Sequence, residues 1–306
     1  MSFKHTPVLL DEVITSLNLQ HGSVVVDATV GGGGHSQVML EKILPNGKLH
    51  AFDQDINAIT EAKRVIASRH YDISFHNTNF ANIKKELAGE RVDAILADLG
   101  VSSHQIDTPE RGFSYMHDAE LDMRMDASQK MTGSTIVNNA RESELVHILS
   151  EYGEERFAKR IAASIIRARP IKTTGELAKI CVDSVPSNYW KFVGHPAKKT
   201  FQAIRIAVNR ELDVLEKFLH DSVDILKPQG RIAVITFHSL EDRIVKNIFR
   251  HYSLDCTCPP KTPQCICNHR QKLRIITRKP VIPSTEEIKN NPRSASAKLR
   301  VAERIA

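Results

Sequence analysis

Four consecutive glycines and a histidine, Gly31-Gly-Gly-Gly34-His35, separate an apolar run ending at Asp27 from a helical pattern that starts near Ser36. A turn this rich in bare amides lets a ligand approach the backbone, and the helix start behind it favours negative charge. About 20 residues on, Ala51-Phe-Asp-Gln-Asp55 ends a second apolar run in carboxylates, the spacing at which an acid holds ribose hydroxyls. Asp53 ends that run and is the expected ribose partner; Asp55 lies two residues further into the loop. Counted from Gly31 the pattern is Gly-x-Gly33-x-x-Ser36, so the third glycine that a dinucleotide dehydrogenase uses for tight helix packing is missing. An amide-rich turn of this form fits a ligand that carries a carboxylate and no phosphate. S-adenosylmethionine is such a ligand, with its amino-acid end at the turn and its ribose at the acid. The plain alternative for the glycines alone is a tight left-handed turn in any α/β protein.

Two further stretches offer polar groups at the ends of apolar runs. Ala97-Asp98-Leu-Gly-Val-Ser-Ser103 leaves a fourth run, and Thr236-Phe-His238-Ser-Leu-Glu-Asp242 leaves a late one. Ligands of open α/β sheets bind outside the carboxyl ends of the strands, which directs Asp98 and His238 to the cofactor side. The competing reading is capping: an acid at Asp98, or Ser239 followed by Glu241-Asp242, suits a helix start. Cys256-Thr-Cys258 and Cys265-Ile-Cys267, followed by His269, can form a four-thiolate zinc site or a reduced cysteine-rich loop. Cys181 stands alone, which does not suggest a secreted disulfide framework.

The elements that position these groups follow from periodicity. β-branched runs at 23–30, 48–53, 73–75 and 92–99 alternate with helical patterns at 36–44, 56–68 and 82–87, implying a parallel sheet with crossover helices. Pro45-Asn-Gly47 ends the first of these helices. After Leu99 the alternation stops, and the next strand pattern is Arg231–Phe237, introduced by the turn Lys227-Pro-Gln-Gly230. A helix over 203–226 can serve as the crossover into it. The block 105–199 is therefore an insertion, with helical periodicity at 142–152, 155–169 and 175–185, the last capped by Thr173-Thr174. A helix over 240–252 and a strand over 273–278 follow.

The chain has 306 residues, 41% hydrophobic and 25% charged, as in a soluble globular protein. No apolar run approaches the roughly 20 residues that span a bilayer, and Met1-Ser-Phe-Lys-His-Thr-Pro7 lacks the apolar core of a secretory signal. A cytoplasmic protein with no membrane association is expected. The net charge is +6, and residues 268–306 hold ten Lys/Arg against three Asp/Glu. That segment suits phosphate backbones, or is a solvated basic tail. Within the insertion, Arg156, Lys159, Arg160, Arg167, Arg169, Lys172, Lys198 and Lys199 can form a positive face.

The blocks His5-Thr-Pro-Val-Leu9, Asp27-Ala-Thr-Val-Gly31, Gly33-Gly-His35, Phe52-Asp-Gln-Asp55, Asp98–Ser103, Pro109-Glu-Arg-Gly-Phe-Ser114, Leu121-Asp-Met-Arg-Met125, Gly194-His-Pro-Ala-Lys198, Phe201-Gln-Ala-Ile-Arg205, Ile235–Asp242 and Arg293–Arg300 closely resemble the ribosomal RNA small subunit methyltransferase H family, over nearly the whole chain. The resemblance implies a Rossmann-type class I methyltransferase fold with an inserted helical domain. Residues 1–104 and 200–306 would form a discontinuous S-adenosylmethionine-binding catalytic domain, and 105–199 the insert that recognises rRNA. It implies N4-methylation of a cytidine in the decoding region of bacterial 16S rRNA in the small subunit. Family cofactor contacts carry over to Gly33, Gly34, His35, Asp53, Phe80, Asp98 and Gln105. Phe80 otherwise reads as ordinary core. An exocyclic cytosine amine is a poor nucleophile, so alignment and an acceptor for its N–H must supply most of the rate. Carbon-5 methylation would need a cysteine near the Asp98 loop, and none lies there. Asp98 is the expected positioning group, with Ser102, Ser103 and His238 ranked below it. The Asp98 loop departs from the Pro-Pro-Tyr/Trp pattern of many amino-methyltransferases, which leaves the proton acceptor open.

Overall fold

The computed structural model describes residues 7–66, 71–259 and 264–305. His5 and Thr6 of the first motif block, the last two positions of the helix expected over 56–68, Pro260 and Pro263 lie outside them. Among the described residues no helix is long and apolar enough to cross a membrane.

Two compact units divide the chain: residues up to Gly100 together with those from Leu212, and Val101–Glu211. The first is built on one seven-stranded sheet. Its strands are β1 (Val24–Asp27), β2 (Lys48–Asp53), β3 (Asp72–Asn77), β4 (Val92–Asp98), β5 (Leu226–Thr236), β6 (Leu273–Ile275) and β7 (Lys298–Arg304), in the order β3-β2-β1-β4-β5-β7-β6. The first five in that order run parallel, while β7 is antiparallel to both β5 and β6. Strands covered on both faces must be apolar almost throughout. β1 and β4 satisfy this with Val25, Val26 and the Ala94–Ala97 run, each at most 1% exposed. The helices Gly34–Ile43, Ile56–Ile66 and Ile83–Glu86 connect the first four strands. Strand order reverses between β1 and β4, and an open α/β sheet splays into a ligand crevice at that reversal.

Three elements differ from the expectation. The turn Lys227-Pro-Gln-Gly230 lies within β5: pairing with β4 jumps from Val92↔Leu226 to Ala94↔Arg231, so the turn bulges out of the ladder. The single helix expected over 203–226 is two, Ala197–Asn209 and Glu211–Ile225, parted by Arg210 in the left-handed conformation (φ 51°). The end of the basic segment is no solvated tail, because β7 is an interior strand with five consecutive buried residues. Two of its charges are matched locally, while Arg304 keeps Nε and Nη1 buried without a hydrogen-bond partner. Arg300 pairs with Asp242 through two contacts of 2.6 and 3.1 Å, and Glu303 takes Arg231 at 3.0 Å and Arg274 at 2.5 Å.

The second unit has its own core of Leu121, Met123, Val137, Leu145, Leu149, Ile161, Ile165, Leu177, Cys181, Phe201 and Ile204. The expected 142–152 helix is present as Glu142–His147, whose last turn widens to a π-helix over Ile148–Tyr152. Thr173 caps the helix Thr174–Ser184 in a box with Glu176. Cys181 is fully buried, and burial pushes its thiol up to about 12.

Candidate active site

Three carboxylates end three adjacent strands of the first unit: Asp53 on β2, Asp27 on β1 and Asp98 on β4. Removing a carboxylate from water favours its neutral form. Burial pushes Asp27 up to about 6, even though the Ser36 hydroxyl and the Thr29 amide both lower it. Burial likewise pushes Asp53 up to about 7, against the lowering amides of Asp55 and Gly31. Asp98 goes furthest, to about 8, through burial first and then the charges of Asp27 and Glu241.

Each acid is held by the loop next to it. The Gly31 amide donates to Asp53 Oδ2 at 3.0 Å and the Asp55 amide to Oδ1 at 2.9 Å, so the glycine turn and the ribose candidate are locked together. Ser36, which stands where a dehydrogenase would have its third glycine, donates its hydroxyl to Asp27 Oδ2 at 2.6 Å. The missing glycine thus has a structural counterpart: the helix start is fixed to β1 by a buried hydrogen bond. The Asp98 amide donates to Thr29 Oγ1 at 2.7 Å, which ties the β4 exit to the β1 loop. Its carboxyl is only 16% exposed, and Oδ1 is shut off from solvent with no hydrogen-bond partner. A buried acceptor left so costs about 1–3 kcal/mol.

The glycine turn is closed over by the N-terminal block. Gly33 adopts φ 82° ahead of the helix Gly34–Ile43, and a Cβ there would stand 2.9 Å from Ile66 Cδ1. A Cβ on Gly34 would meet Pro7 Cγ at 2.6 Å. His35 is 7% exposed, with Nε2 3.0 Å from the Val8 carbonyl, which can only accept, so Nε2 carries the proton. Its Nδ1 faces Asp98 Oδ2 at 3.8 Å, too far for a hydrogen bond. Phe80 is half-buried and meets Phe218 edge-on at 4.9 Å, so it is partly core and partly open.

The remaining expected residues serve helix starts. Ser102 caps the helix Ser103–Asp107: its Oγ accepts from the Gln105 amide at 3.2 Å, and its own amide donates to Gln105 Oε1 at 3.0 Å. Gln105 is buried, and Ser103 opens the helix. His238, not Ser239, caps the helix Ser239–Tyr252, with Glu241 returning Oε2 to the Phe237 and His238 amides at 2.8 and 3.3 Å. His238 Nε2 lies 3.1 Å from Glu241 Oε1 but is misaligned for a hydrogen bond. The site residues that sequence reasoning passed over are Asp27, Thr29, Ser36 and Glu241. The signal for Asp27 was an acid directly after three valines in a central strand.

S-adenosylmethionine fits this edge. Asp98 Oδ1 is a buried acceptor without a partner in a region where three acids are held towards neutrality, which suits a ligand bringing N–H donors and positive charge. No lysine or arginine is among the contacts described at this edge, as suits a cofactor without phosphate. Elsewhere in the same unit the Cys256, Cys258, Cys265 and Cys267 sulfurs lie within 4.8 Å of one another.

The insert's motif blocks are structural. Asn209, 8% exposed, donates to the Met123 and Arg205 carbonyls and accepts from the Met125 amide, each within 2.9 Å. Arg111 donates to the Arg124 and Met125 carbonyls, and Tyr115 stacks on His195 at 4.5 Å. Of the proposed positive face, Arg169 is spent on the Val137 and Ala140 carbonyls and Lys199 on that of Glu154. Arg156, Lys159, Arg160, Arg167, Lys172 and Lys198 are exposed.

The sequence has close relatives. It is 52% identical to a ribosomal RNA small subunit methyltransferase H of Finegoldia magna and 51% identical to one of Clostridioides difficile, with all of both chains covered in each case. Among solved structures, a putative rRNA methylase of Clostridium thermocellum aligns with 99% of this chain and 100% of that one at 12% identity and a TM-score of 0.47, too loose a likeness to bear on the site. The sequence model of the MraW methylase family matches residues 2–305, and the chain belongs to that family.

Proposed function

We propose that this protein methylates the exocyclic N4 of a cytidine in the decoding region of 16S rRNA, in the cytoplasm, with S-adenosylmethionine as donor and the small ribosomal subunit as partner. The observation that carries the reading is Asp98 Oδ1, a buried acceptor without a partner, on a carboxyl at about 8, one strand from the glycine turn. The relatives named for small-subunit rRNA methylation supply the substrate class.

S-adenosylmethionine supplies an electrophilic methyl on a sulfonium. The Gly34 amide and the fixed ring of His35 take its amino-acid end, with Gly33, whose own amide donates to the Val30 carbonyl at 2.8 Å, shaping the turn; Asp53 takes its ribose and Phe80 its adenine. Gln105 lies on the helix Ser103–Asp107, which follows Asp98 in sequence. Asp98 accepts an N–H of the cytosine amine, which turns the nitrogen lone pair out of conjugation and towards the methyl. When the N–C bond forms, the nitrogen must lose one proton, and a carboxylate at about 8 sits close to the working pH for taking it. Ser102, Ser103 and His238 act through the helix starts they form, holding the two loops that flank Asp98 in sequence and in the sheet. The chain has no cysteine before Cys181, so neither the glycine turn nor the Asp98 loop holds the sulfur nucleophile that carbon-5 chemistry demands. The target base must leave its stack to reach a site of this kind.

The test is transfer of labelled methyl to small subunits from cells that lack this modification, followed by mapping of the modified nucleotide. Label on N4 of one decoding-region cytidine is expected, with Asp98→Ala slower by roughly 10²–10⁴-fold. Label on DNA but on neither subunits nor rRNA would overturn the assignment.

A further inference from the structure

Residues 253–272 join the helix Ser239–Tyr252 to β6, and none of the described ones is buried. Leu254 and Ile266, its apolar side chains, are 40% and 77% exposed. A segment without a buried core of its own needs a different clip to hold one shape. Its base is closed by the Lys272 amide, which donates to the Tyr252 carbonyl at 2.8 Å.

Further out, four sulfurs converge. Cys256 lies 3.5 Å from Cys265 and 3.7 Å from Cys267, Cys265 lies 3.5 Å from Cys267, and Cys258 lies 3.9 Å from Cys265. A disulfide would hold two sulfurs at about 2.05 Å. Four ligands at the corners of a tetrahedron, each at the Zn–S distance of about 2.3 Å, stand about 3.8 Å apart. These four separations bracket that edge length, and all six lie within 4.8 Å. The sulfurs are also met by backbone donors: the Cys258 amide to Cys256 at 3.3 Å, Thr257 to Cys267 at 3.3 Å and Ile266 to Cys258 at 3.4 Å. Amides aimed at sulfur stabilise thiolate charge, the form that binds a metal, and orient the ligands from the shell behind them.

We propose that Cys256, Cys258, Cys265 and Cys267 bind one structural zinc ion that clips this loop. With four protein ligands the ion keeps no open position for water, so it holds structure and takes no part in methyl transfer. Soft sulfur ligands in a tetrahedron suit zinc or iron, and a redox-inert ion matches a site whose task is to fasten a loop.

Protein purified without added metal and dialysed against a weak chelator should hold about one zinc per chain by elemental analysis. Cobalt substitution should give the thiolate-to-metal absorption of a tetrahedral four-sulfur site. The double variant Cys265→Ser/Cys267→Ser should retain less than about a tenth of an equivalent. Stripping the metal should speed proteolysis within 253–272 in the wild type and not in the variant. Well under one equivalent of zinc in the wild type, iron in its place, or unchanged zinc in the double variant overturns the proposal. The wild-type metal content decides it even if the variant does not fold.

Discussion

Asp27, Asp53 and Asp98 concentrate the residue-scale physics of this protein. All three carboxyls bind their protons more tightly in the folded chain than in the unfolded one, with values near 6, 7 and 8 against an ordinary 3.8. Where the folded state binds more protons, stability falls as pH rises. The fold is therefore at its firmest with respect to these groups below about pH 4, and it loses that contribution progressively as pH climbs through 6, 7 and 8. Asp98→Asn, which keeps the side chain neutral at every pH, should match the wild-type melting temperature only near pH 4 and exceed it by a growing margin up to about pH 8, with rRNA methylation lost. Melting curves for the two proteins that fall in parallel across that range would show that Asp98 does not titrate as described. A cationic ligand reverses the effect, so S-adenosylmethionine should raise the melting temperature more at pH 9 than at pH 6. The positions were legible beforehand: Gly33 lies at the turn, and Asp53 and Asp98 end their strands, where their spacing placed them. The roles of Ser36 and Thr29 were not, because a hydroxyl that fixes a distant acid leaves no periodic trace. For His238 the pattern left two readings, a partner of the cofactor edge and a helix cap, and its ring caps the helix Ser239–Tyr252, a choice between two geometries that one sequence does not separate.

The element scale shows where pattern reading works and where it stops. β1, β2, β4 and β5 were visible as apolar runs because strands covered on both faces must be apolar, and the edge strand β3 through Ile73 and Phe75. β7 was not, since Lys298-Leu-Arg-Val-Ala-Glu-Arg304 alternates charges with apolar residues inside a basic segment and reads as tail. Its burial depends on partners far along the chain, Asp242 for Arg300 and Arg231 for Glu303. The break at Arg210 carried no glycine or proline to announce it. In the insert the motif Pro109–Ser114 turns on Gly112, where φ is 69° and an added Cβ would stand 2.4 Å from the Glu120 carbonyl oxygen and 2.7 Å from the Asp122 amide. Both contacts are to backbone, so nothing soft can give way. Gly112→Ala should cost at least about 2 kcal/mol, as strain and overpacking add. Gly89→Ala, also at positive φ but with nothing within 4 Å, should cost clearly less. Urea midpoints for the two variants measure this, and equal losses would refute the steric account.

On the scale of the whole molecule, the question is which part of a net charge of +6 meets the phosphate backbone. Part of the densest basic stretch is committed elsewhere: Arg300 is paired with Asp242, Arg274 with Glu303, and Lys272 with Asp224 at 3.2 Å. In the insert, by contrast, Arg160 and Arg167 sit exposed on the helix Ala158–Ala168, seven residues apart and so on one face. Lysine and arginine bound to phosphates release counterions, and removing one such cation flattens the dependence of affinity on salt by just under one unit of slope. Arg160→Glu/Arg167→Glu should weaken binding to 16S rRNA and lower the salt slope by about 1.5–2, with S-adenosylmethionine affinity unchanged. Lys279→Glu, an exposed cation of the first unit, serves as the comparison. If it lowers the slope as much per charge as the arginine pair does, the RNA is held by the overall field of the protein. A drop confined to the arginine pair assigns the insert the phosphate contacts, leaving the carboxyl edge of the sheet to the cofactor and the base.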